Sequence, residues 1–475
     1  VPWRKVPALP FELACFPQRW YRRLSLPVVS YAIPALVAIG QAKFHHCPPG
    51  NPLTRWIRNA AKKRSLAVLT EMQPASGGFL EATPLTSFVV MSVASIGGSE
   101  HPVVRRGVEF LLASVRPDGS WPIDTNLATW NTSQALSALD WQLEEDSAPS
   151  RVPSAQAEQA LDWLLRCQHR QTHPFTGAEP GGWAWTDLSG GVPDADDTAA
   201  ALLALANWQR HWPDRRATDV RHAALAGVHW LLELQNSGGG WPTFCRGWGK
   251  LPFDRSSTDI TAHVIRALHA WSDCLRLPTS NAELARRIGN AVRLGTNYLQ
   301  EQQQDDGSWL PLWFGNEHNP QERNPVYGTS KVLQMYHELG WGQYDEALRG
   351  AQWLIKSQDV AGGWGAPNGA HEKGFTPHSS VEETALAVSA LLPYVEDERF
   401  SKDRSEVVSA VHLGLSWLVE AVEQGQHLEP APIGFYFAKL WYHERLYPQI
   451  FAAQALGRGC RAVSANSEPI MASQP

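Results

Sequence analysis

The stretch GGVPDADDTAAALLAL, residues 190–205, sets Asp194, Asp196 and Asp197 within four positions at the mouth of an apolar run. Carboxyl groups this close oppose one another's ionisation, and burial adds to the effect, so at least one is pushed toward its protonated form. A helix start pulls the other way, because its free N–H groups favour anions. Facing an apolar space, such a cluster is a proton source that titrates as a unit. Facing water, it is an N-cap at Asp194 followed by two first-turn carboxylates. A second pair, Asp259 and His263 in TDITAH, is four residues apart and so lies on one helix face; a capped helix with an i,i+4 pair is the simpler reading.

Two other groups invite chemistry and have plainer explanations. Glu382 and Glu383 follow Ser379 and Ser380, the order of a capping box. His45, His46 and Cys47 adjoin in FHHC, but no further ligand group stands at a spacing that would complete a zinc site, so no metal is expected.

The elements that must position these residues come as a repeat. An aromatic–Leu pair on an apolar helix is followed by Gln five residues after the aromatic, then Gly, then Trp. The unit appears as WLLRCQ (163–168) leading to Trp183, WLLELQNSGGGW (230–241), YLQEQQQDDGSW (298–309) and WLIKSQDVAGGW (353–364). FLLASVRPDGSW (110–121) has Val115 in place of Gln, and VLTEMQPASGGF (68–79) ends in Phe79. Between copies lies a second helix opening on Thr or Ser, as in DDTAAALLALANW (196–208) and TDITAHVIRALHAW (258–271). Few stretches read as strands, so the fold class is all-α, built of stacked helix pairs that run linearly or close into an α/α toroid. Gln satisfies free backbone groups at helix ends and Trp stacks on it.

Composition narrows the function classes. The chain has 475 residues and a net charge of −6, which gives no case for nucleic acid. The six cysteines are scattered and form no CxxC, as in a reducing compartment. No apolar run is long enough to span a bilayer; the longest, 26–40, holds two prolines. A chain starting at Val1 is expected to lack an N-terminal piece. Its 22 tryptophans against 4 methionines ask for a use of the ring beyond filling space.

DADDT (194–198), set among Gln/Gly/Trp repeats with STDITAH (257–263) and YGT (327–329), resembles the squalene-hopene cyclase family of class II terpene cyclases, over nearly the whole chain. The resemblance implies two α/α barrels, here a partial non-catalytic barrel (1–125) and a catalytic barrel (126–475). It implies cationic cyclisation of squalene, or a similar linear terpene, to a hopene- or hopanol-type pentacycle. Asp196 is then the general acid, with Asp194 and Asp197 holding charge or amide hydrogen bonds. His263 orients and reloads the proton, and Asp259 supports His263. An alkene is a very poor base, so its acid must be strong and dry. Aromatic faces stabilise the travelling cation without attacking it; by resemblance Trp130, Trp185, Tyr327, Trp364, Phe435 and Tyr31 line the cavity. Trp185 stands where the family usually carries Phe, and Tyr31 where it usually carries Trp, swaps that alter cavity volume. Glu382 and Glu383 have a second reading near the terminating proton loss.

No cofactor is implied. The partners expected are the terpene and a membrane surface on its cytoplasmic side, met monotopically through the basic, aromatic segments 17–26 and 54–64; a homodimer is one assembly this allows. A zinc prenyltransferase on a similar barrel would need Asp, Cys and His ligands that are not found. A toroidal glycoside hydrolase would separate its carboxylates across a wet cleft. A non-catalytic toroid is the remaining alternative.

Overall fold

The computed structural model describes residues 2–17, 20–21, 24, 26–139, 154–274, 282–366, 378–395, 404–435 and 440–465. Contacts divide the chain into two compact units. The first comprises Val1–Thr129, Cys167–Asp197 and Thr243–Arg255; the second comprises Trp130–Arg166, Thr198–Pro242 and Ser256–Pro475. Compactness therefore groups the aspartate triad with the first unit, whereas 1–125 and 126–475 stand as a proposal about barrel membership.

In the first unit, α1 (Val28–His46), α2 (Pro52–Glu71), α3 (Thr83–Ser95) and α4 (Pro102–Ala113) surround a core of Ile33, Val37, Leu69, Phe79, Val89, Val93 and Val103. Asn51 caps α2, its side-chain oxygen accepting the Leu53 and Thr54 N–H groups, with Pro52 where no N–H is needed. The loop 168–194 is irregular and ends at α7 (Ala195–His211), whose first three residues belong to this unit.

The chain also forms α5 (Ala128–Ala138) and α6 (Ala155–Cys167). The second unit continues with α8 (Ala217–Leu234), α9 (Thr258–Cys274), α10 (Ala282–Gln302), α11 (Pro325–Glu338) and α12 (Asp345–Ser357). It ends with α13 (Val381–Val395), α14 (Arg404–Glu423) and α15 (Tyr447–Ala465). Helices α9, α11, α13 and α15 pack side by side in that order, and α10, α12 and α14 back the first three. This alternation of inner and outer helix is the wall of an α/α barrel. Inner helix α11 is buried all round from Val326 to Tyr336, while outer α12 buries only one stripe, Ala347, Gly350, Ala351 and Leu354. The strands are two- or three-residue clips: β1 (Trp241–Pro242) pairs with β2 (Ser256–Ser257), β4 (Gly365–Ala366) with β5 (His378–Ser379). β3 (Gly315–Asn316), β6 (Ile433–Phe435) and β7 (Leu440–Tyr442) form one antiparallel sheet.

The repeat residues do one job three times over. Gln235, Gln303 and Gln358 each donate through Nε2 to a turn carbonyl four residues on (Gly239, Gly307, Gly362) and to a carbonyl of the next outer helix or its neighbour repeat (Ala291, Glu346, Ala410). Trp241, Trp309 and Trp364 are 0% exposed, and each indole N–H donates to a Leu carbonyl ten residues back. Thr261, Thr329 and Thr384, near the starts of the inner helices, accept the N–H groups of those tryptophans. Gln thus satisfies backbone groups as expected, and the structure adds that Trp anchors by its own hydrogen bond. Each turn needs a glycine in the left-handed region: Gly239, Gly307 and Gly362 have φ of +90°, +97° and +97°.

One expectation is corrected. Outer helix α14 is long and apolar enough to cross a bilayer. Its place is in the barrel wall, where Gln358 bonds Ala410, Gly414 admits the Trp364 ring, and Val407, Val411 and Leu418 are buried.

Candidate active site

In the first unit the aspartates are drawn into protein. Asp194 is 2% exposed and Asp197 6%, while Asp196 between them is only half-buried. The Asp194 N–H donates to Trp183 O at 2.9 Å, and the Ala195 N–H to Thr243 O at 2.8 Å, so two strand-like contacts fix the chain as it enters α7. Asp194 caps the helix, its Oδ1 accepting the Asp197 N–H at 2.9 Å. The N-cap is thus formed by a carboxyl that also belongs to a buried acidic pair.

The electrostatics separate the three. Burial pushes Asp194 up to about 7, against the lowering effect of its bonds with Asp197. Burial pushes Asp197 well above the usual carboxylate range, and the charges of Asp194, Asp196 and Asp124 add to it. Asp194 Oδ2 and Asp197 Oδ1 meet no hydrogen-bond donor among the described residues, so ionising both would strand charge in a dry site. Burial thus favours the protonated form in the enclosed Asp194–Asp197 pair.

Beside this loop lies an aromatic cluster. Tyr31 (4% exposed) donates its hydroxyl to Phe244 O at 3.1 Å and packs against the Phe244 and Phe253 rings, with centroids 5.7 and 6.3 Å away. The Trp185 ring meets Phe244 edge-on at 6.0 Å, and Val192 and Leu80 close the group. The Trp185 indole N–H has no partner among the described residues. Tyr31 and Leu80 also line a small apolar pocket with Met72, Phe79, Phe175 and Gly190. Tyr31 and Trp185 are thus brought together, and Phe244, Phe253 and Phe175 join them without any sequence signal beyond their aromatic type.

In the second unit, Asp259 and His263 are both 3% exposed on α9. Asp259 accepts a hydrogen bond from the Ser257 hydroxyl and, at 3.4 Å, from the Leu312 N–H. The Trp130 ring, 4% exposed, meets His263 edge-on at 5.9 Å and 83°. Tyr327 stacks on Phe314 at 4.3 Å, with Lys331 Nζ 5.3 Å over its ring. Trp364 has the geometry of a repeat tryptophan, its indole N–H on Leu354 O and its ring against Gly414. Phe435 ends β6 by its backbone; its side chain lies outside the described residues. Glu383 accepts bonds from Ser380 Oγ (2.6 Å) and Asn316 Nδ2 (2.7 Å), and its own N–H donates back to Ser380 Oγ, so Ser380 caps the helix. The Ser380 N–H goes to Trp364 O, and the reciprocal half of a capping box is not made. His46 stacks on Trp3 at 4.3 Å, and among the described residues no three His, Cys, Asp or Glu side chains group as metal ligands would.

Residues 127–461 match the squalene-hopene cyclase C-terminal domain. The chain is 25% identical to a probable squalene–hopene cyclase of Sinorhizobium fredii, covering 96% of this chain and 76% of that protein. It is 26% identical to the squalene–hopene cyclase of Bradyrhizobium diazoefficiens (71% and 50%) and 26% identical to the enfumafungin synthase of Hormonema carpetanum (82% and 29%). It thus spans less than a third of the enfumafungin synthase and half of the Bradyrhizobium enzyme. Among solved structures it is similar to an ent-copalyl diphosphate synthase from Streptomyces platensis, with a TM-score of 0.49 at 17% identity, covering 97% and 95% of the two chains. The stacked helix pairs and this match are those of a class II terpene cyclase. The chain belongs to the squalene-hopene cyclase family.

Proposed function

We propose that the protein cyclises squalene, or another linear terpene, to a hopene- or hopanol-type polycycle by protonating a terminal alkene from Asp196. The observation that carries this is the burial of Asp194 and Asp197, which favours their protonated forms, next to a half-buried Asp196. The pair keeps a proton next to Asp196, and Asp196 is the member that reaches accessible space. Asp196 takes that proton from the pair and passes it from its O–H to the terminal alkene carbon; the alkene π electrons form the new C–H bond, the O–H bonding electrons stay on the Asp196 carboxylate, and a tertiary cation is left. Successive alkenes then attack, each closing a ring and moving the charge on. Loss of a proton, or capture of water, ends the sequence. Tyr31, Trp185, Trp130 and Tyr327 are the proposed aromatic faces for the moving cation, each contributing ~0.5–2 kcal/mol when desolvated. His263 is the proposed reloading group and Asp259 its support.

The substrate is an oil, and the proposed route to it is a membrane surface. Helix α2 exposes Leu53, Trp56 (69%) and Ile57, and Trp20 and Leu24 are exposed as well, amid the basic segments 17–26 and 54–64. The relatives named dammaradiene synthase and sporulenol synthase support the wider class of linear terpenes as candidate substrates.

The test is to incubate membranes carrying the full-length protein with squalene and analyse the extract for cyclic hydrocarbons. Cyclic products from the wild type and none from membranes without it support the reading. Unchanged squalene, with turnover of a shorter or oxygenated linear terpene instead, would move the substrate and keep the class.

A further inference from the structure

The two glycines ahead of the triad are gripped from both sides. Glu81, 0% exposed, accepts the Gly190 N–H at 2.7 Å, while its carboxylate also takes the Ser76 hydroxyl at 2.7 Å and the Thr125 hydroxyl at 3.3 Å. One residue further on, His173, 3% exposed, holds the Gly191 carbonyl through Nε2 at 3.0 Å. Its Nδ1 faces the N–H groups of Phe175 and Thr176 at 3.3 and 3.2 Å, so Nδ1 is the acceptor and Nε2 carries the hydrogen. Burial lowers the His173 pKa and keeps the ring neutral, as this arrangement requires. Nothing larger than glycine fits: a Cβ on Gly190 would lie 2.6 Å from Glu81 Oε1, and one on Gly191 would lie 2.9 Å from Thr186 O.

The Glu81 end of the grip is strained. Leu80 and Glu81 both sit in the left-handed region, at φ of +53° and +52°, where a branched or charged L-residue is rarely held without a compensating contact. Here the compensation is the set of three donors on the Glu81 carboxylate. The same turn places Ala82 in a bridge with Asp124. Asp124 is pushed up to about 7 by burial, with the Glu81 charge adding, and Asp124 in turn faces Asp197.

We infer that Glu81 and His173 are positioning residues for the acid: they clamp the Gly190–Gly191 peptide so that the aspartate loop enters α7 with its carboxyls sealed from water. This rests on the reading of the triad as the proton source. The titratable groups around Asp197 within this unit are Asp194 and Asp196 from its own turn and Asp124 from the segment after α4, with Glu81 behind Asp124. Releasing the clamp admits water, removes the burial that holds the proton, and lets the pair ionise at lower pH.

The experiment compares full-length wild type with Glu81→Ala, Glu81→Gln and Gly190→Ala. Hydrogen exchange is read on peptides covering 183–197. Protonated carboxyl is read from its infrared carbonyl band, assigned as the band lost in Asp197→Asn. Glu81→Ala should speed exchange of the loop about tenfold or more, the effect of losing a charge-assisted hydrogen bond, and should move the infrared titration to lower pH. Glu81→Gln, which keeps an oxygen for the Gly190 N–H, should restore slow exchange. Gly190→Ala releases the clamp from the loop side and should match Glu81→Ala, which covers the case of a Glu81 variant that does not fold. Slow exchange and an unmoved band in both Glu81→Ala and Gly190→Ala would overturn the inference. Squalene turnover by Asp196→Asn separates the two readings: normal turnover there removes the acid assignment and leaves the loop result standing, while lost turnover with an unmoved loop removes the clamp alone.

Discussion

Helices α7 and α13 both begin with adjacent acidic residues, Asp196–Asp197 and Glu382–Glu383, and burial raises carboxyl pKa values at both starts. What surrounds the carboxyls differs. Glu383 is met by neutral donors, Ser380 and Asn316, each of which lowers its pKa again. Asp197 is met by Asp194, Asp196 and Asp124, each of which raises it further. The first arrangement stabilises a helix end. The second favours a protonated carboxyl, the form the proposed protonation of an alkene needs. Two acids in sequence therefore say little until the groups opposite them are known.

The largest expected effect sets the two starts against each other. Asp197→Asn removes the stored proton and should lower cyclisation by at least about 10²-fold, whereas Glu383→Gln should leave it within about tenfold; product yield from squalene measures both. Comparable losses in the two variants would dissolve the distinction.

The next effect is on stability against pH. The Asp194 pKa rises from 3.8 to about 7 on folding, so the folded chain keeps a proton over a range in which the unfolded chain has lost it. Its contribution is complete below about pH 4 and is lost as pH rises toward 7. Asp194→Asn should flatten that decline, and chemical denaturation across the range would show it. A steeper decline in the variant would reverse the sign argued here.

Smaller effects belong to the α13 start. Ser380→Ala takes a donor from a buried carboxylate and should cost ~1–2 kcal/mol in thermal unfolding. Glu383→Gln, which still offers an oxygen to Asn316, should cost less than about 1 kcal/mol. A larger loss in Glu383→Gln than in Ser380→Ala would mean that the charge, rather than the cap, matters there.

Much of the scaffold could be read along the chain because the repeat is local: Gln, Gly and Trp recur at fixed spacing, and each forms bonds within its own turn or with the next one. The triad was visible for the same reason. The partners that give it meaning were not. Glu81 reaches Gly190 across 109 residues, and Phe244 reaches Tyr31 across 213, separations at which no periodicity carries information. His173 was nearer, 18 residues from Gly191, but a single histidine in a Gly- and Pro-rich loop has no spacing to mark it. Trp364 shows the opposite limit: its place in the repeat already predicted a helix-joining tryptophan, and its hydrogen bond to Leu354 O follows that pattern.

Cyclisation in heavy water tests the central claim most directly. If the reaction starts with a proton from the aspartate cluster, the cyclic product gains one deuterium at the carbon first protonated, and Asp196→Asn gives no labelled product at all. A wild-type product free of deuterium, or undiminished labelled product from Asp196→Asn, would contradict the account.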